Sequence, residues 1–188
     1  MRKLVSYMFT SLDGFIADRG GDLNWAPIDD QLMRFANEYF ASADGIVFGR
    51  NVYDLFVSYW DGLDPNQPSV SEFDVEFAEI FGKMYRIVVS TTLGDVDGRT
   101  IVINDDVPGR ISALKQEPGR DLLLICGPEL RSTLTRLGLV DRHRVMLAPV
   151  VLGTGKPLFA APEEPLRLRL ADTRAFDGGV VMLDYEPV

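Results

Sequence analysis

Three short stretches of this chain carry chemistry suited to gripping a phosphorylated ligand. Cys126-Gly127-Pro128-Glu129-Leu130 follows four aliphatic residues, Leu122 to Ile125, and opens a helical pattern. Glycine permits close backbone approach, and proline suits the first helical turn, where its missing N–H is not needed. The free N–H groups beyond it form an anion site that requires no basic side chain. The same residues also make an ordinary strand-to-helix turn. Gly49-Arg50 follows Phe48; its guanidinium can hold a phosphate through two parallel hydrogen bonds, or pair with a surface carboxylate. Ser90-Thr91-Thr92 follows Val89; the hydroxyls can bind a ribose 2′-phosphate, or only shape a turn. A dinucleotide spans several loop ends of one sheet, so the three stretches together argue for more than each does alone.

Other reactive residues are less eloquent. His143 stands alone, with no second histidine and no cysteine cluster, so no metal site is expected. It reads as a strand residue near the surface. Cys126, the sole cysteine, reads as a small buried hydrophobe. Gly153-Thr154-Gly155-Lys156 imitates a phosphate loop only in fragments, because Val150 stands where the first glycine belongs and Pro157 where a hydroxyl should bind Mg²⁺. The glycine-rich loop from Asp18 to Asn24 can act as a lid. Trp25 and Phe48 either line a pocket or pack in the core.

The elements that must position these residues follow from periodicity. Leu4 to Phe9, Gly45 to Phe48, Tyr85 to Val89, Thr100 to Ile103, Leu122 to Ile125 and Arg144 to Leu147 read as strands. Helices are expected over 31–41, 51–60, 72–81, 107–116 and 129–137, the first capped by Asp29 or Asp30. Residues 10–21 and 61–71 read as loops. Leu166 to Ala175 and Val180 to Glu186 form a terminal hairpin around Asp177-Gly178. Alternating strands and helices imply an α/β fold of three layers, α-β-α, with a mostly parallel sheet and an antiparallel C-terminal hairpin. Ligands of such sheets bind at the carboxyl ends of the strands.

Composition sets outer bounds. The chain has 188 residues, 46% of them hydrophobic, enough for one domain with a sizeable core. Its net charge of −9 disfavours nucleic acid and anionic membranes as partners. No apolar run reaches the length of a transmembrane helix. A single cysteine suits the reducing cytoplasm.

Five segments in order, at suitable spacing, resemble the dihydrofolate reductase superfamily, most nearly the RibD C-terminal-like branch with the reductase domain of riboflavin biosynthesis. They are Ser11-Leu12-Asp13-Gly14-Phe15-Ile16-Ala17, Phe48 to Tyr53, Val88 to Leu93, Cys126 to Leu130, and Gly138 through Phe159. The resemblance implies a reductase that takes NADPH and passes hydride to a small pterin-, pyrimidine- or flavin-related ring. It also implies a homodimer. Ile16 and Ala17 match the segment along the nicotinamide. Gly49 and Arg50 match the pair at the adenine-side phosphates, and Ser90, Thr91 and Thr92 the turn at the 2′-phosphate. Gly127, Glu129 and Leu130 match the pyrophosphate loop. Cys126 departs from a glycine common in the family.

Dihydrofolate reductase places one acid at the start of its first helix, facing the pteridine. Asp30 falls at the matching spacing after Trp25. It is the catalytic candidate if it lies in an apolar pocket, and otherwise it or Asp29 only caps the helix. Asp13, Trp25, Tyr53, Gly153 and Thr154 are the substrate-side candidates. The alternative is a nucleotide-binding module of the same fold without turnover.

Overall fold

The computed structural model describes residues 1–94, 96, 98–160 and 164–188. Its strands are β1 (Leu4–Thr10), β2 (Phe15–Ala17), β3 (Gly45–Gly49), β4 (Tyr85–Val89), β5 (Thr100–Ile103), β6 (Leu122–Ile125), β7 (Arg142–Leu147), β8 (Lys156–Pro157), β9 (Leu168–Ala175) and β10 (Val181–Pro187). Its helices are α1 (Asp30–Ala41), α2 (Arg50–Trp60), α3 (Glu72–Lys83), α4 (Val107–Gln116) and α5 (Pro128–Arg136).

Eight strands form one sheet in the order β5-β4-β3-β6-β1-β7-β10-β9. The first six are mutually parallel, and β10 runs antiparallel to β7 and β9. The α/β class, the parallel sheet and the antiparallel end are as the sequence predicts. The central strands are short aliphatic runs buried on both faces, the mark of a sheet covered by helices on both sides. Successive side chains alternate between two cores. Val5, Ile46 and Phe48 meet Leu32 and Phe40 of α1, Tyr53 of α2 and Phe81 of α3 on one face. Leu4, Val47 and Leu124 meet Ile111 of α4 and Leu134 of α5 on the other.

Helix starts are set by local chemistry. Asp29, not Asp30, caps α1, its carboxylate accepting the Leu32 N–H at 2.8 Å. Ser71 and Asp74 form a reciprocal capping box on α3. Asp106 caps α4. One buried charge is paired directly: Arg86 lies over the Phe81 ring and grips Asp61 with both terminal nitrogens at 2.7 and 2.6 Å.

Two expectations need correction. Residues 10–21 are not wholly loop: Phe15–Ala17 pairs antiparallel with Lys156–Pro157 in a two-stranded sheet. Such short strands carry no periodicity of their own, and long-range pairing creates them. His143 is not near the surface but 1% exposed. It faces Phe159, whose ring centroid lies 5.5 Å away.

Candidate functional site

Parallel register brings the chosen loops to one edge. Gly49 pairs with Val89, and Phe48 pairs with Ile125, so β4, β3 and β6 end side by side. Ser90, Arg50 and Gly127 therefore follow neighbouring strand ends. A Cβ built on Gly49 would lie 3.7 Å from Leu130 Cδ2 and 3.8 Å from Cys126 Cβ, so the starts of α2 and α5 touch.

Those two helices differ from the other three. Their N-caps, Gly49 and Gly127, make no side-chain capping bond, whereas α1, α3 and α4 are each capped by Asp or Ser. The helix starts of α2 and α5 are neighbours without a side-chain cap, and Pro128 supplies the first position of α5. Two adjacent helix N-termini concentrate partial positive charge, which draws an anion.

Arg50 bonds Asp54 one turn on, Nε to Oδ2 at 2.7 Å, with both side chains partly exposed. Such a pair holds little energy, so the guanidinium is readily redirected. Ser90 is buried and its Oγ accepts the N–H groups of Thr92 and Leu93, which fixes the turn. Thr91 and Thr92 are exposed. Glu129 is exposed at the start of α5, while Leu130 is half-buried against Gly49.

The opposite end of the edge is a knot between the segments after β1 and β7. Ser11 Oγ donates to Asp13 and accepts the Phe15 N–H. Asp13 also accepts the N–H groups of Leu152 and Gly153, at 3.1 and 2.7 Å. The Ser11 hydroxyl, followed by these backbone donors, holds the Asp13 carboxyl below the usual carboxylate range. Asp13 thus positions the Gly153-Thr154 loop, whose two residues are exposed. Ile16 and Ala17 are buried, and Gly155 presses on Ala17 so closely that a Cβ would meet its carbonyl oxygen.

Among the substrate-side candidates, Trp25 is half-buried against the core, and its indole N–H is buried with no acceptor among the described residues. Tyr53 is a core residue, 7% exposed and edge-on to Phe48. Phe48 is fully buried among aromatic rings. Asp30 is exposed at the first position of α1, so no apolar pocket of the described residues encloses its carboxylate. The tip of the terminal hairpin meets this end of α1, where the Asp177 N–H donates to Gln31 Oε1 at 2.9 Å. Cys126 is fully buried, and burial pushes its thiol up to about 11. Among the described residues no metal-ligating cluster forms, and no helix is long and apolar enough to cross a membrane.

Sequence reasoning passed over three residues of this region. Ser11 and Gly155 hold the loops together, and Arg131 reaches beneath the Cys126 turn. Gly155 alone carried a signal, as the second glycine of a Gly-x-Gly loop.

Among the described residues, a mostly parallel eight-stranded sheet closed by an antiparallel hairpin, with five helices, defines a dihydrofolate-reductase-like α/β fold of the RibD type. The chain belongs to the RibD C-terminal domain family, whose model matches residues 2–182. It is 34% identical over 184 residues to the Bacillus subtilis (strain 168) protein YyaP, covering 98% of this chain and 94% of the relative. A Shewanella sp. PV-4 structure, provisionally assigned to riboflavin biosynthesis, shares the fold with a TM-score of 0.77 at 22% identity, over 99% of both chains. The Thermotoga maritima diaminohydroxyphosphoribosylaminopyrimidine deaminase/5-amino-6-(5-phosphoribosylamino)uracil reductase matches with a TM-score of 0.69 at 15% identity. That match covers all of this chain and 57% of the Thermotoga protein.

Proposed function

We propose that the chain is an NADPH-dependent reductase acting on a small heterocycle related to pterins, pyrimidines or flavins. The observation that carries this reading is the pair of uncapped helix starts at Gly49 and Gly127, flanked by Arg50 and the Thr91 and Thr92 hydroxyls at the same sheet edge. This donor set fits a dinucleotide: N–H groups for the pyrophosphate, and a guanidinium with hydroxyls for the 2′-phosphate. Ile16 and Ala17 would flank the nicotinamide. Trp25 would meet the substrate ring, its N–H, which has no acceptor among the described residues, offering a donor. The bound cofactor would supply hydride, and the protein would orient the two rings and exclude water.

Titration of the chain with NADPH and NADH, followed by absorbance at 340 nm across dihydrofolate, pyrimidinone and flavin substrates, tests the proposal. Arg50→Ala is expected to weaken NADPH more than NADH; equal weakening would remove Arg50 from the 2′-phosphate. One observation favours the second reading, a nucleotide-binding module without turnover: Asp30 is exposed, which leaves it at odds with a buried proton donor. Binding of NADPH without oxidation on any substrate would select that module.

We also propose a cytoplasmic homodimer. On the α5 side, the end of the sheet presents Val145, Leu147, Val181 and Leu183 half-buried, and Leu170 at 48% exposure. Three strands spaced ~4.8 Å apart and rising ~3.3 Å per residue make this face about 300 Å², a core that surrounding loops would have to extend toward the roughly 800 Å² each partner buries in a standard interface.

A further inference from the structure

Arg131 is the fourth residue of α5, and its side chain is wholly buried. Nε donates to Ser6 Oγ at 3.1 Å, Nη1 to the Leu158 carbonyl at 2.9 Å, and Nη2 to the Cys126 carbonyl at 2.7 Å. All three acceptors are neutral. Among the described residues Arg131 forms no ion pair, unlike the other buried arginines, Arg2 and Arg86, which hold Asp44 and Asp61. Burial, then the Arg131 charge, holds the adjacent His143 imidazole down at about 4, so it is neutral at pH 7. A positive charge therefore lies out of water, in the first turn of a helix whose dipole is already positive there. Both placements are unfavourable by themselves. An anion at the Gly127 turn would offset both.

The same guanidinium joins the two halves of the site. Its bond to Cys126 fixes the turn that opens α5. Its bond to Leu158 fixes the residue whose N–H donates to the Gly14 carbonyl beside β2. Building on the dinucleotide reading above, we infer that Arg131 is a positioning residue for the ligand's phosphates. It sets the Cys126-Gly127 turn and supplies buried positive charge behind it without touching the ligand. A chain of net charge −9 thereby gains local anion affinity with no exposed lysine or arginine at the turn.

Calorimetric titration of the full chain with NADPH, and separately with inorganic pyrophosphate, tests this in wild type, Arg131→Gln and Arg131→Lys. Glutamine keeps a donor for the carbonyls but removes the charge. It is expected to weaken both ligands at least about tenfold, some 1.4 kcal/mol, and to flatten the salt dependence of binding. Lysine keeps the charge and is expected to stay within about threefold of wild type, about 0.65 kcal/mol. A purely structural arginine would instead lower melting temperature and affinity alike in both variants, with salt dependence unchanged; that result overturns the inference. So does an Arg131→Gln chain that binds both ligands as wild type does. Should the glutamine variant not fold, the lysine variant decides alone, a tenfold loss overturning the proposal. Wild type that binds pyrophosphate but not NADPH would sink the reductase reading and leave Arg131's role standing. Wild type that binds neither sinks both.

Discussion

Replacing Gly155 by alanine perturbs the knot at one end of the site, and the structure sets the size of the effect. The new Cβ would stand 2.0 Å from the Ala17 carbonyl oxygen and 3.1 Å from its carbon. A tolerable C···O contact is about 3.3 Å, so the two backbones must part by roughly 1.3 Å. That movement pulls β8 from β2 and strains the Leu158-to-Gly14 hydrogen bond. Overpacking of this kind costs about 1–3 kcal/mol. In a chain of this length each kcal/mol shifts the melting temperature by about 2–4 °C, giving a fall of about 2–12 °C. Gly153→Ala is the control, because that residue has φ +74° and nothing within 4 Å of its added Cβ. It carries only the left-handed backbone cost of about 1–2 kcal/mol. Differential scanning fluorimetry gives the stabilities and calorimetry the NADPH affinity. Gly155→Ala should weaken NADPH, because Ala17 moves, while Gly153→Ala should not. If Gly155→Ala melts no lower than Gly153→Ala and binds NADPH equally well, the close approach does not hold the segment proposed to flank the nicotinamide.

The buried His143 should make stability depend on pH. Its pKa of about 4 lies below the ordinary 6.5, so the folded chain binds fewer protons than the unfolded chain between those values. Its contribution is full above about pH 6.5 and is lost as pH falls through 4, by on the order of 3 kcal/mol. Urea midpoints at pH 7 and 4.5 should fall further in wild type than in His143→Leu; equal falls would refute this. Asp29→Ala should lower stability by about 1 kcal/mol through the lost cap. Asp30→Asn should leave the melting temperature unchanged but lower turnover, and an Asp30→Asn chain with full turnover would leave Asp30 no chemical role. Leu183→Asp, on the α5-side sheet face, should convert a dimer to a monomer by light scattering, and an unchanged mass would move the interface elsewhere.

Much of this protein follows from local pattern. The aliphatic runs at Leu122–Ile125 and Tyr85–Val89, the helical spacing of Leu32, Phe35 and Tyr39, and the Ser71 cap each depend on neighbours in sequence, so their elements were legible. So was the clustering of Gly49, Ser90 and Gly127, because parallel strands send their following loops to one edge. Contacts between residues far apart in sequence were not legible. The β2–β8 pairing joins segments about 140 residues apart, and Arg131 meets Ser6 across 125. His143 looked like a surface strand residue because alternation gives a face but not what covers it, and Phe159 covers it. Asp29 and Asp30 are equivalent as cap formers in sequence; the backbone's entry into α1 selected Asp29 and turned Asp30 to solvent. Sequence alone therefore determined most of the elements, their order and which loops follow neighbouring strand ends. The tertiary structure decided which polar groups are buried and paired, because desolvation depends on neighbours that only folding assembles.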